Sequence, residues 1–167
     1  MTVSNTIPFH LRGNYAPVTD EITAENLEVR GSLPSELNGR YFRNGANPIT
    51  GESAHWFLGD GMIHGVRLRE GKAEWYRNRW VQTPFYENPS KPVIDLENLD
   101  FSSENSKANT HVVQHAGRIL CLEEGHVPWE ISKEMETLGP CSFDGQLDGS
   151  FTAHPKICPC LLYTSDA

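Results

Sequence analysis

Two short stretches of the 167-residue chain carry side chains that could hold a metal or move a proton. One is "TAHPK" at 152–156, centred on His154; the other is the adjacent acid pair Glu123-Glu124, which closes "ILCLEEG". Seven histidines are present: His10, His55, His64, His111, His115, His126 and His154. None forms a helical zinc pair. His111 and His115 are four apart, but on a strand that spacing is about 13 Å, too far for one ion to span easily. Taken alone, His154 reads first as a packing or turn histidine before a proline and only second as a metal ligand, because imidazole sites recruit partners from distant positions and one histidine does not make a site. On a strand, Glu123 and Glu124 point to opposite faces. Either both are solvated, or one is buried and must find a partner.

Other chemistries find less support. "FLGDGM" at 57–62 lacks the Lys-Ser/Thr and the helix of a phosphate-binding loop. No Ser-His-Asp or Cys-His nucleophile can be assembled. Of the four cysteines, Cys158 and Cys160 are too closely spaced for a zinc knuckle, and all four read as reduced thiols. The net charge of −8 disfavours nucleic acid, which needs a basic face. No apolar run approaches the roughly 20 residues of a membrane span. No secretory leader is recognisable, so a cytoplasmic location is expected.

The elements that must position these residues are short and β-rich. "GRYFRNG" at 39–45 is aromatic and bounded by glycines. "GMIHGVRLREGKAEWYRNRWVQT" at 61–83 predicts a hairpin turning at "REGK". "THVVQHAGRILCLEEG" at 110–125 predicts another, turning at "HAGR". "VPWEIS" and "METLG" follow as two more short strands. "TAENLEV" and "PSELNG" could each form one helical turn, and the polar stretch 88–109 reads as a loop. The fold class expected is all-β: a sandwich, barrel or propeller.

Seven stretches in order resemble the carotenoid cleavage dioxygenase (carotenoid oxygenase) family: "GNYAPV" at 13–18, "GSLPSELNGRYFRNGANP" at 31–48, "HWFLGDGMIHGVRL" at 55–68, "YRNRWV" at 76–81, "ANTHVVQHAGRILCLEEG" at 108–125, "LGPCSFDGQL" at 138–147 and "FTAHPKICP" at 151–159. The resemblance implies part of a seven-bladed β-propeller, about its first two blades with an N-terminal segment. It implies an axial non-haem Fe(II) held by four histidines, and oxidative cleavage of a carbon–carbon double bond of a carotenoid or apocarotenoid by dioxygen. His154 matches the first iron histidine. Glu124 matches a carboxylate that fixes an iron histidine, whose partner is expected outside this chain, and Glu123 then faces away. His55, His64, His111 and His115 are read as structural. "RYFRNG" and "GDGM" are read as locks on strands and turns, their glycines chosen for positive φ or close packing.

The stilbene-cleaving branch of the family clamps a phenol with a lysine and a tyrosine. Here Glu123 stands at the lysine position and Phe101 near the tyrosine position, so a polyene is the preferred substrate. A non-catalytic propeller module is the other reading. The resemblance also allows peripheral membrane contact. Residues 1–159 are expected to be the N-terminal part of the propeller domain. "CLLYTSDA" at 160–167 resembles a translated sequencing adapter, and a chain carrying one iron histidine is expected to be inactive alone.

Overall fold

The computed structural model describes residues 7–89 and 105–157, with the backbone of residues 164 and 165. Phe101, Cys158 and Cys160 lie outside the described residues, as does most of 160–167. Two four-stranded antiparallel sheets make up the body. The first contains β1 (Thr23–Glu25), β2 (Gly39–Ala46), β3 (Gly61–Arg69) and β4 (Lys72–Trp80), in the order β1-β4-β3-β2. The second contains β5 (His111–His115), β6 (Arg118–Leu122), β7 (Trp129–Ile131) and β8 (Thr137–Pro140), in sequence order. Each has the size of a propeller blade; the second is a meander throughout, and in the first the β2–β3–β4 meander is extended by β1 beside β4. A single helical turn, α1 (Pro84–Glu87), follows the first sheet, and β9 (Lys156–Ile157) pairs with β10 (Thr164–Ser165).

Both expected hairpins form. Their turns are Glu70-Gly71, with φ of 48° and 73°, and Ala116-Gly117, with φ of 47° and 81°. Two consecutive positive φ values are what a two-residue turn needs to match strand twist. "TAENLEV" is not a helical turn. Its first residues form β1 at the edge of β4, and Asn26 turns left-handed at φ 53° while donating its N–H to the Glu74 carbonyl at 2.9 Å. Good intrinsic helix formers yield there to an available strand edge. "PSELNG" makes one turn, in which Leu37 donates to the Pro34 carbonyl.

The stretch 88–109 is not a polar loop throughout. Ser106, Lys107, Ala108 and Asn109 are buried between the sheets. The inter-sheet core comprises Ile63, Val81, Ala108, Ile119, Cys121, Trp129, Ile131 and Met135, with Phe42, Trp75 and Val112 packed against it. A second core lies on the far face of β5–β8, where Leu120 and Leu122 meet Cys141 and Ala153. The apolar run of β6 is thus buried on both faces. Ile119 and Cys121 point one way, Leu120 and Leu122 the other. The N-terminal strap is tied down by two buried asparagines. Asn47 bonds both polar groups of Val18, and Asn78 bonds Ile22 and Asp20.

Candidate metal centre

The alternation of β6 continues past its last residue and separates the two glutamates. Glu123 follows Ile119 and Cys121 toward the first sheet, and its side chain is 19% exposed. Its carboxylate accepts the Lys107 N–H, with His126 Nδ1 at 3.6 Å. Burial holds its carboxyl above the usual carboxylate range, opposed by the Lys107 N–H and the His126 ring. Glu124 follows Leu120 and Leu122 to the other face and is 58% exposed. Its Oε2 accepts the Ala153 N–H at 3.0 Å and the Thr152 hydroxyl at 3.3 Å; its Oε1 lies 2.5 Å from His154 Nδ1. The Ala153 N–H, more than His154, holds the Glu124 carboxyl below its usual range.

Within this chain the histidine that Glu124 meets is His154, 30 residues along. The cause is local. Ala153 is fully buried in the second core, and Gly125 donates to the Phe151 carbonyl at 2.9 Å, so 151–154 lies against the turn that carries Glu124. Glu124 and His154 are brought together; Glu123 faces away from both, as expected.

This pairing fixes a tautomer. An ionised carboxylate only accepts, so His154 Nδ1 carries the proton and Nε2 is left with its lone pair, the form that binds a metal. His154 is 66% exposed. Among the described residues no three His, Cys, Asp or Glu side chains converge as a complete metal site. The donor set thus fits one imidazole ligand, with its orienting carboxylate, of a site completed by other residues.

The remaining histidines divide. His55 Nδ1 accepts the Phe57 N–H, and His64 Nδ1 lies 2.8 Å from the Tyr76 hydroxyl. Burial first, then the Arg43 guanidinium, lowers the His64 pKa. His111, which sequence reasoning set aside, reaches the site: Nδ1 is 2.9 Å from the Ala153 carbonyl, and the ring stacks 6.1 Å from that of His154. No sequence spacing signals this contact, which spans 42 residues.

Sequence reasoning also missed a buried ion pair on the Glu123 side of the strand. Lys107 Nζ lies 2.6 Å from Asp60 Oδ1, both side chains 7% exposed, and 4.3 Å above the centre of the Phe85 ring. Asp60 Oδ2 accepts the Ile49 N–H at 2.9 Å. Asp60 belongs to "GDGM", whose glycines serve close packing and not positive φ. A Cβ on Gly61 would meet the Ala108 carbonyl oxygen at 2.4 Å.

The sequence profile of the family described as "Retinal pigment epithelial membrane protein" matches residues 15–161. The chain belongs to that family, the carotenoid cleavage oxygenases. It is 47% identical over 155 residues to a carotenoid cleavage oxygenase of Mycobacterium tuberculosis, covering 90% of this chain and 31% of that protein. It is 38% identical over 188 residues to a carotenoid 9,10(9',10')-cleavage dioxygenase 1 of Pisum sativum, covering 93% and 35%. Among solved structures it is similar to the lignostilbene dioxygenase of Pseudomonas brassicacearum, with TM-score 0.76, 31% identity, and 95% and 37% of the two chains covered. Cobalt-substituted Synechocystis ACO, an apocarotenoid oxygenase, gives TM-score 0.70 at 25% identity, covering 86% and 34%. The two sheets are accordingly part of a seven-bladed propeller. The chain spans about a third of the length of the curated relatives it matches.

Proposed function

We propose that this chain is the N-terminal part of a non-haem Fe(II) dioxygenase that cleaves a carbon–carbon double bond of a carotenoid or apocarotenoid. The observation that carries this reading is the His154–Glu124 pair, an imidazole held with Nε2 free in a family of carotenoid cleavage oxygenases. Iron, when held by neutral imidazoles with open positions, lets dioxygen react with an electron-rich alkene. The C=C and O–O bonds break and two C=O bonds form. In this chain His154 contributes one ligand and Glu124 holds its tautomer. Glu123 does not serve as a charged clamp for a phenol, since its carboxylate is buried on the Lys107 backbone. That favours an apolar polyene over a hydroxystilbene.

Loading from a lipid surface belongs to the same proposal, because such a substrate is sparingly soluble. Phe9, Tyr15 and Trp56 form an exposed aromatic patch suited to that contact. The test is to recover the longer coding sequence, purify its product, and assay an apocarotenal and a hydroxystilbene side by side while measuring iron. Stoichiometric iron with carbonyl products from the apocarotenal is expected, and His154→Ala should lose the iron. Full iron content in that variant would remove His154 from the site. Turnover of the stilbene alone would overturn the substrate class.

A further inference from the structure

We propose that His111 is a positioning residue for His154, holding in place the peptide that carries the metal histidine. This rests on reading His154 as a ligand. The Ala153 carbonyl can only accept, so His111 Nδ1, 2.9 Å away, donates to it. The Ala153 N–H donates to Glu124 Oε2 at 3.0 Å. Both polar groups of one residue are thus held by side chains. One comes from the first residue of β5 and the other from the turn after β6. These anchors are rigidly related, because His111 and Leu122 are register partners across the two strands.

His154 follows directly and is limited at two further points. Glu124 Oε1 accepts its Nδ1–H, and the His111 ring lies beside its own at an interplanar angle of 24°. Ala153 is fully buried. A leucine at 111 would cover that carbonyl without donating to it, leaving it short of its hydrogen bond. The segment would shift to find one, carrying the His154 backbone away from Glu124. His111 therefore acts on the metal histidine through Ala153 and through ring contact, without itself being a ligand.

The experiment uses the 167-residue chain labelled with 15N, at a pH where both imidazoles are neutral. The His154 tautomer is read from its ring nitrogen shifts, together with hydrogen exchange of the Ala153 amide. In the unchanged chain the Nδ1–H tautomer should dominate. In His111→Leu, His154 should become a tautomer mixture and the Ala153 amide should exchange about tenfold faster, the loss of roughly one buried hydrogen bond. His111→Asn should restore both, because its amide nitrogen falls where Nδ1 stood; His111→Gln, whose donor falls farther out, should not. An unchanged His154 tautomer in a folded His111→Leu chain overturns the proposal. If His111→Leu does not fold, equal behaviour of the Asn and Gln variants overturns it instead. Iron retained by the longer polypeptide carrying His154→Ala would refute the ligand reading separately, leaving the tautomer result standing.

Discussion

Lys107→Met should destabilise the chain by about 3–5 kcal/mol, the cost of leaving one member of a buried ion pair without its partner. Lys107 Nζ and Asp60 Oδ1 are 2.6 Å apart and both side chains are 7% exposed. At an effective dielectric of about 20 their attraction is roughly 6 kcal/mol, offset by several kcal/mol of desolvation per ion. Net gain is small while both are present; loss of either exposes the unpaid desolvation of the other. The pair also anchors a strained segment. Ala108 has a left-handed φ of 49°, which costs a residue with a Cβ about 1–2 kcal/mol. The flanking Lys107 donates its N–H to Glu123, and its carbonyl accepts the Gly61 N–H at 2.9 Å. The assay is urea unfolding of four chains: unchanged, Lys107→Met, Asp60→Asn, and the double variant. Asn at 60 keeps an acceptor for the Ile49 N–H, so the double variant should recover most of the loss, with a coupling of about 2 kcal/mol or more. A Lys107→Met cost below about 1 kcal/mol at unchanged m-value, or strictly additive single costs, would refute the reasoning.

Gly61→Ala should cost about 1–3 kcal/mol or more, because its Cβ would meet the Ala108 and Lys107 carbonyl oxygens at 2.4 and 2.7 Å. Gly45→Ala, with nothing within 4 Å and no positive φ, should stay within about 0.5 kcal/mol in the same thermal or urea melts. Glu124→Gln should change neutral-pH stability by less than about 1 kcal/mol, since the pair is exposed. The folded Glu124 carboxyl is depressed, so its contribution is present above the unfolded value near 4.3 and disappears as pH falls through the folded value. Unfolding curves across the acid range should therefore be flatter in that variant. Glu123 has the opposite sign: burial raises its carboxyl, and the folded state gains relative stability as pH falls through the raised value. His64 is lowered, so its contribution is complete above about 6.5 and fades as pH falls through the lower folded value. His64→Gln should remove that step from the stability profile.

Strands and turns were legible because their signals are local. "REGK" and "HAGR" sit between alternating apolar residues, and both become two-residue hairpin turns. "TAENLEV" misled because Ala, Glu and Leu favour helix in isolation, whereas the edge of β4 offers Asn26 the Glu74 carbonyl. The stretch 105–109 misled because its composition is polar. Its burial is made possible by partners far off in sequence: Asp60 for Lys107, and the Phe57 and Gly59 carbonyls for Asn109. His154 could be singled out by its motif, but nothing near it in the sequence announces Glu124 or His111. Side-chain pairs 30 and 42 residues apart leave no periodic trace.

The separation of Glu123 from Glu124 follows from strand geometry alone. In β6 the period of two that sends Ile119 and Cys121 into one core and Leu120 and Leu122 into the other also assigns the next two residues. Glu123 inherits the inter-sheet face and becomes a buried acceptor for the backbone of Lys107. Glu124 inherits the opposite face and becomes the carboxylate that orients His154. A one-residue slip of β6 against β5 and β7 would exchange the two cores and the two carboxylates together. The register that buries leucine at 120 and 122 is thus the same register that presents a carboxylate to His154. Packing of this blade and geometry of the site cannot be varied independently: a change that loosens Leu122 in the second core also moves Glu124, two residues on.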